Sequence, residues 1–207
     1  ACDVPGKNDI SPTANDDPLF PDMTVRYVGQ ALIAVAAETL PKARAAAALA
    51  VVEYEDLRAF LTIEAARTAG SFIEDSQTMR LGDARAAIAA SPHEISGALA
   101  TGGQDHFYLE GQVALAVPGE DGDLHVWSST QNPTETQHLI ARALGLRDNA
   151  VVVEVRRMGG GFGGKETQSI QYAAIAALAA TKTGRPAKVR LDRDDDMVMT
   201  GQRHAFV

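Results

Sequence analysis

A glycine-rich stretch constrains this sequence more than any other feature. Five of the six positions from 159 to 164 are glycine, and Phe162 is the exception. The stretch follows an apolar run typical of a strand, Val151–Val155, and precedes an alanine-rich run typical of a helix, Ser169–Ala180. A tight turn needs only one or two residues with positive φ. So many glycines therefore indicate a backbone that approaches a ligand closely and offers N–H groups to it.

Two common glycine motifs match this stretch only in part. A dinucleotide-binding loop needs an acidic residue about 20 positions further on, whereas the next acid after Glu166 is Asp192. A P-loop needs Ser or Thr after its lysine to bind Mg²⁺, but Lys165 is followed by Glu166, whose charge would repel phosphate. Both motifs are disfavoured, and Phe162 favours a pocket that also holds a planar group.

Composition excludes several classes of function. The 207 residues suit one domain or two small ones, and 45% hydrophobic with 22% charged residues is a globular balance. A net charge of −8 gives no general attraction to nucleic acid or anionic membranes. No apolar run approaches the roughly 18 residues of a spanning helix. The single Cys2 leaves no internal disulfide or cysteine-based metal site in this chain. No signal-like segment opens the sequence, so we expect a cytoplasmic protein.

The hydrophobic pattern predicts an α+β chain in two blocks joined by a linking segment with one or two short helical turns, residues 59–94. The first block should contain a hairpin around Gly29, a helix and a further strand: Val25–Val28, Leu32–Ala37, Pro41–Leu49 and Val51–Tyr54. The second block should contain five strands: Ile95–Ala100, Phe107–Val117, Leu124–Ser128, Val151–Val155 and Ala187–Leu191. Its helices should be Thr134–Leu144, opened by Pro133 and closed by Gly145, and Ser169–Ala180.

Other clusters of reactive residues give weaker signals. The acidic run Asp192–Asp196 lacks the spacing of a calcium loop and contains Arg193, which favours a solvated turn or a salt-bridge cluster. The five histidines are scattered without metal-ligand spacing, and the role of His106 stays open. No Gly-x-Ser-x-Gly elbow supports serine hydrolysis.

The segment Arg157–Glu166 resembles the molybdenum-site loop of the xanthine dehydrogenase and aldehyde oxidase family. Four other segments resemble the molybdopterin-binding domain of that family: Gly103–Glu110, Ser129–Pro133, Asp192–Met197 and Thr200–His204. Three more resemble its preceding hammerhead domain: Asp3–Gly6, Val28–Gln30 and Tyr54–Leu57. These matches run nearly from end to end and in the family's order.

The resemblance implies a hammerhead-type α+β module at residues 1–58, lacking its N-terminal part. The linking segment 59–94 then leads to the first part of a molybdopterin-binding α+β domain at residues 95–207, truncated at its C-terminus. The sequence begins with Ala1 and stops within an apparent strand. We therefore expect a piece of a larger protein.

The resemblance also implies roles for individual residues. Gln131 matches the glutamine that hydrogen-bonds the molybdenum oxo group, and Gly161, Phe162 and Gly163 match the cofactor-binding loop, so Gln131 and Phe162 belong to the molybdenum environment. Glu166 matches the glutamate that binds purine substrates, which favours xanthine or hypoxanthine. From the residues alone, Gln131 also suits a helix entry, and Glu166 suits a carboxylate that a helix dipole stabilises.

The implied enzyme is a molybdenum hydroxylase of purines whose electrons pass through iron–sulfur clusters and FAD to NAD. Those groups would lie on other domains or subunits, within an oligomeric assembly that includes the remainder of the large subunit. The family's catalytic glutamate has no counterpart in this chain, so we expect no catalytic residue here and no turnover by the chain alone. The alternatives are an aldehyde or N-heterocycle hydroxylase, a non-catalytic nucleotide-binding module, and a purely structural scaffold.

Overall fold

The computed structural model describes residues 3–13, 15–201 and 203–206. Cys2, the basis of the disulfide argument, lies outside the described residues, as does Gln202 of one family-like segment. The chain divides into two compact units. The first comprises residues 1–51 and 105–203, and the second comprises residues 52–104 and 204–207.

A four-stranded sheet forms the centre of the first unit. Its strands are β1 (Val113–Pro118), β2 (Leu124–Ser128), β3 (Val151–Glu154) and β4 (Ala187–Arg190). They lie in the order β3-β2-β1-β4, with β1 antiparallel to β2 and β4, and β2 parallel to β3. The parallel pair requires a crossover connection, which helix α4 (Pro133–Leu144) supplies.

Two helices cover one face of this sheet and create the core. Helix α5 (Gln168–Thr183) packs on β1, β2 and β4, while α4 packs on β3 and α5. Alternate residues of the strands are buried towards them, Ala114 and Ala116 in β1 and Leu124 and Val126 in β2. The alanines of α5 let it lie close to the sheet, and ten of its sixteen residues are buried. The glycine-rich stretch connects β3 to α5, so the core fixes both of its flanks.

The ends of α4 follow ordinary capping chemistry. The Asn132 side chain accepts a hydrogen bond from the Glu135 N–H at 3.2 Å, and Pro133 occupies the first turn. Gly145 closes the helix with a φ of 68°, a conformation that glycine adopts without strain. These caps fix the position of Gln131, which directly precedes Asn132 in the chain.

Four further helices are short. Helices α1 (Leu40–Ala47) and α6 (Arg193–Met199) belong to the first unit, and α2 (Ile63–Ala69) and α3 (Ala84–Ala89) belong to the second. No residue of α1, α2 or α3 is buried. In the second unit, Thr101 and Phe206 form a single antiparallel bridge. No helix within the described part of the chain is long and apolar enough to cross a membrane.

The α+β fold class is confirmed, but several predicted strands are absent. Val25–Val28 and Leu32–Ala37 flank a turn at Gly29 without pairing, and Val51–Tyr54 and Ile95–Ala100 have no regular secondary structure. Val28 is 89% exposed and Ile95 is 99% exposed. A strand needs neighbouring strands and a covered face to be stable, and these segments have neither.

The strand predicted at Phe107–Val117 begins only at Val113. Phe107 has a φ of 52°, which breaks an extended conformation. The N–H of Glu110 donates to the carbonyl of Gly159 instead of to a neighbouring strand. The segment before β1 is therefore attached to the glycine-rich stretch.

Candidate functional site

Residues 155–167 connect β3 to α5, and the glycine-rich part of this connection, residues 159–165, forms a compact loop. The N–H of Gly164 donates to the carbonyl of Gly161 at 2.8 Å, which closes a turn around Phe162 and Gly163. Gly163 has a φ of 92°, where glycine is required. Phe162 also has a positive φ, 54°, and its side chain is 75% exposed. The loop thus presents an aromatic ring at its tip in a conformation that phenylalanine rarely adopts.

Gln131 lies between β2 and α4 and is held by the loop. Its N–H donates to the carbonyl of Lys165 at 2.7 Å. Its side-chain Oε1 accepts from the N–H of Gly163 at 3.0 Å and from the N–H of Lys165 at 3.2 Å. Because Oε1 is engaged twice, the orientation of the amide is fixed. Its Nε2 donor has no partner among the described residues.

Gly161 makes this contact possible. A Cβ atom at position 161 would lie 2.5 Å from Oε1 of Gln131, closer than any side chain tolerates. The N–H groups of Gly161 and Phe162 have no acceptor in the part of the chain that the structure describes. The loop therefore combines a close approach to Gln131 with two N–H groups that a bound ligand could use.

Lys165 ends the loop with a side chain that is fully buried. Its Nζ donates to the carbonyl of Glu110 at 2.7 Å, to Oγ of Ser129 at 2.8 Å and to Oε2 of Glu110 at 3.2 Å. It also lies 4.6 Å from the centre of the Tyr108 ring. Burial lowers the pKa of Lys165, and the neighbouring Glu110 carboxylate opposes that effect. All three ammonium donors are engaged, so the lysine is a structural cation here and is not free for phosphate.

Glu110 connects the two ends of the loop. Its Oε2 accepts from the N–H of Gly159 at 2.8 Å and from Oγ of Ser129 at 2.6 Å, in addition to Lys165. Burial raises the pKa of this carboxyl, but the hydrogen bonds from Ser129, Gly159 and Lys165 outweigh it and hold the pKa below its ordinary value. One ionised carboxylate thus contacts the first and the last residue of the loop.

A second layer of hydrogen bonds lies behind this pair. Asp196 is 2% exposed, and its carboxylate accepts from the Tyr108 hydroxyl at 2.6 Å and from the N–H of Gln112 at 2.7 Å. Gln112 in turn donates from Nε2 to the carbonyl of Gly164 at 3.0 Å. Burial and the bond to Asp196 raise the pKa of Tyr108 to about 12. The phenol stays protonated as a donor at neutral pH.

The acidic run at the start of α6 matches the expected salt-bridge cluster only in part. Asp192 caps α6 and pairs with Arg44 at 2.7 Å, as a salt-bridge cluster would. Asp196 is instead buried, and it is connected to the loop through Gln112, which hydrogen-bonds both Asp196 and Gly164. Among the described residues, no group of three acidic, histidine or cysteine side chains is placed to hold a metal ion.

Glu166 and His106 border the loop. Glu166 is exposed and has no hydrogen-bond partner within the described ranges. It precedes Thr167, the N-cap of α5, whose first turn contains no acidic residue. A carboxylate at the N-terminus of α5, stabilised by the helix dipole, therefore remains the alternative role for Glu166. His106 packs against the loop, since a Cβ on Gly164 would lie 2.7 Å from the imidazole Cγ.

The structure brings together Gln131, Gly161, Phe162 and Gly163, four of the five residues that the sequence singled out. Glu166, the fifth, lies three residues after Gly163 in the chain and is exposed. The N–H of Gly163 is already used by Gln131, whereas that of Phe162 is available. Sequence reasoning missed Glu110 and Lys165. The available signal was that both lie inside segments that resemble the family, Gly103–Glu110 and Arg157–Glu166.

Comparison with known proteins finds two family models that match this chain. A family model described as "Molybdopterin cofactor-binding domain" matches residues 67–207. Another, described as "Aldehyde oxidase and xanthine dehydrogenase, a/b hammerhead domain", matches residues 1–58. Together the two models match most of the chain.

Curated relatives match over nearly the whole chain. Xanthine dehydrogenase/oxidase of Gallus gallus is 45% identical over 100% of this chain, xanthine dehydrogenase of Dictyostelium discoideum is 42% identical over 100%, and a nicotinate hydroxylase of Emericella nidulans is 42% identical over 96%. The chain spans only 15% of the length of each of these relatives.

Solved structures agree in fold. The aldehyde oxidoreductase of Desulfovibrio desulfuricans superposes with a TM-score of 0.86 at 25% identity, and that of Desulfovibrio gigas with 0.78 at 28% identity. Each match covers 98% of this chain and 24% of the other.

Proposed function

This chain belongs to the aldehyde oxidase and xanthine dehydrogenase family, and from that premise we propose that it forms part of the molybdopterin site of a hydroxylase that oxidises hypoxanthine and xanthine. The observation that carries the proposal is the clamped amide of Gln131. Both backbone contacts to its Oε1 leave Nε2 as a fixed neutral donor, which suits an oxygen-rich group. The free N–H groups of Gly161 and Phe162 lie on the same loop and suit the same ligand.

The molybdopterin cofactor, when bound, would hold the redox-active molybdenum on which a hydroxylation of this kind depends. The residues of this chain would orient it. Gln131 would donate its Nε2 hydrogen bond, and the loop at Gly161 and Phe162 would contribute backbone donors. The exposed ring of Phe162 would line the pocket and exclude water from it.

Glu166 would bind the substrate. Its carboxylate is exposed and free of hydrogen bonds to described residues, and it directly follows the loop. A carboxylate can accept a hydrogen bond from the N–H edge of a purine. The other parts of the reaction would come from the remainder of the large subunit, including the catalytic glutamate. Iron–sulfur clusters and FAD on other domains or subunits would carry electrons to NAD, in a cytoplasmic oligomer.

The first experiment is to measure molybdenum content and native mass of the complete protein purified from its source. We expect molybdenum near one per copy of this chain, in an assembly much heavier than 21.9 kDa. Protein that is fully folded but contains no molybdenum would contradict the proposal. Tight binding of a free nucleotide by such metal-free protein would instead indicate a non-catalytic nucleotide-binding module.

A hydroxylase of N-heterocycles is a second candidate, because the nicotinate hydroxylase is as similar to this chain as one of the xanthine dehydrogenases. Glu166→Ala in the complete enzyme separates the two candidates. We expect kcat/KM for xanthine and hypoxanthine to fall by about 10- to 1,000-fold, since one charged hydrogen bond to the substrate is lost. Glu120→Ala, at an exposed turn between β1 and β2, is the matched control. Unchanged purine kinetics with good turnover of nicotinate would overturn the purine assignment.

A further inference from the structure

The position of Gln131 depends on the backbone of Lys165. Residue 131 donates its N–H to the Lys165 carbonyl and accepts the Lys165 N–H on Oε1, so two of its three bonds to the loop involve this one residue. The carbonyl of Lys165 also accepts from Oγ1 of Thr130 at 3.1 Å. A displacement of the backbone at 165 would therefore displace the amide of Gln131 as well.

The side chain of Lys165 in turn determines where its backbone lies. Its Nζ is buried and has three acceptors, two of which belong to Glu110 and one to Ser129. A buried ammonium that loses its partners is strongly destabilised, so the side chain has no alternative position of similar energy. Glu110 meanwhile binds Gly159 through both its N–H and its carboxylate.

On this basis we propose that Glu110 and Lys165 are positioning residues, which hold the glycine loop closed at both ends and thereby fix the Gln131 amide for the cofactor. The inference rests on the proposed function, because it assigns a purpose to the orientation of Gln131. Neither residue touches the cofactor in this account. Each acts through the loop backbone, in the way that outer partners orient the direct contacts of a metal site.

The test is hydrogen exchange of peptides covering residues 158–168 in the complete enzyme, combined with molybdenum content and the molybdenum K-edge absorption spectrum. In Glu110→Ala and Lys165→Met we expect the amides of Gly163 and Lys165 to exchange about tenfold faster or more, since they lose their partner on Gln131. We expect the metal spectrum to change in the same sense as in Gln131→Ala, and kcat to fall about 10- to 100-fold.

Conservative and control variants separate positioning from general destabilisation. Glu110→Gln retains an oxygen acceptor for Gly159 and Ser129, so it should recover most of the protection and the native spectrum. Lys182→Met removes an exposed lysine that pairs with Asp3, and it should leave all readouts unchanged. Ser129→Ala removes one acceptor of Nζ and one donor to the Glu110 carboxylate, and it serves as the milder variant should Lys165→Met fail to fold.

The outcomes distinguish this inference from the proposed function. Native protection of Gly163 and Lys165 in Glu110→Ala would overturn the positioning role, whatever the metal content. Faster exchange of the Gly163 and Lys165 amides in Glu110→Ala, with exchange in α4 and α5 unchanged, would support the positioning role even if the native protein contained no molybdenum. In that last case the proposed function alone would fall.

Discussion

Phe162 has an unusual backbone conformation for a residue with a side chain. It adopts a left-handed φ of 54°, and its ring is 75% exposed, so the side chain neither relaxes the backbone nor fills a core. Such a conformation costs about 1–2 kcal/mol for a residue with a Cβ. Glycine would hold the same turn without that cost. The ring is therefore better explained by a ligand at the loop than by folding.

This conformation predicts an inverted preference between glycine and alanine at position 162. Phe162→Gly should be more stable than Phe162→Ala by about 1 kcal/mol, because only alanine retains the strained Cβ. The free energy of unfolding from urea titrations checks the order. Val152 in β3 is half-exposed with ordinary strand geometry, and there alanine should be the more stable by about 0.5–1 kcal/mol. The same order at both positions would contradict the account of strain.

The residues of the loop could be predicted from the sequence, but those that hold it could not. Five glycines around Phe162 carry a local signal that needs no knowledge of the fold. Lys165 carries none, because a lysine in a polar segment is normally exposed. Its burial depends on acceptors supplied by Glu110 and Ser129, which are 55 and 36 residues away in the chain. Contacts of that kind appear only once the sheet has brought the segments together.

Among the helices and strands, the reliable predictions are those with their own start and stop signals. β2 was predicted at Leu124–Ser128 and is found there, and α4 differs from its prediction by one residue. Asn132, Pro133 and Gly145 define α4 locally, so its bounds need no tertiary information. The segments 25–37 and 95–100 are apolar enough for strands, but strand formation requires a partner that the sequence pattern cannot supply.

The two units of the chain differ in what stabilises them. The first has a core of buried side chains between the sheet and α4 and α5. In the second, α2 and α3 contain no buried residue, and large apolar side chains such as Ile73 and Met79 are almost fully exposed. Isolated helices shorter than about 12 residues are marginal in water. The local stability of the chain should therefore be very uneven.

Hydrogen exchange of the 207-residue chain on its own should reveal this difference. Amides in α2 and α3 should exchange at nearly the rate of an unfolded peptide, since no packing protects them. Amides in the middle of α5 should exchange at least about 100-fold more slowly, because they open only when the core does. Helix α1 is equally exposed but lies in the first unit, so its exchange shows whether protection depends on burial of the helix or on the unit to which it belongs. Equal protection of α3 and α5 would contradict this expectation.

The contacts of Glu110 with Gly159 and Lys165 also have a consequence for the contour length of the chain between them. Gly159 and Lys165 both bind the Glu110 carboxylate, so the distance that the chain from residue 159 to residue 165 has to span is fixed. One inserted residue adds about 3.8 Å of backbone, which cannot be absorbed at either attachment. The extra residue would have to bulge outwards at Phe162, into the space where we expect the ligand to bind. The number of residues in this segment is thus set as tightly as their identity.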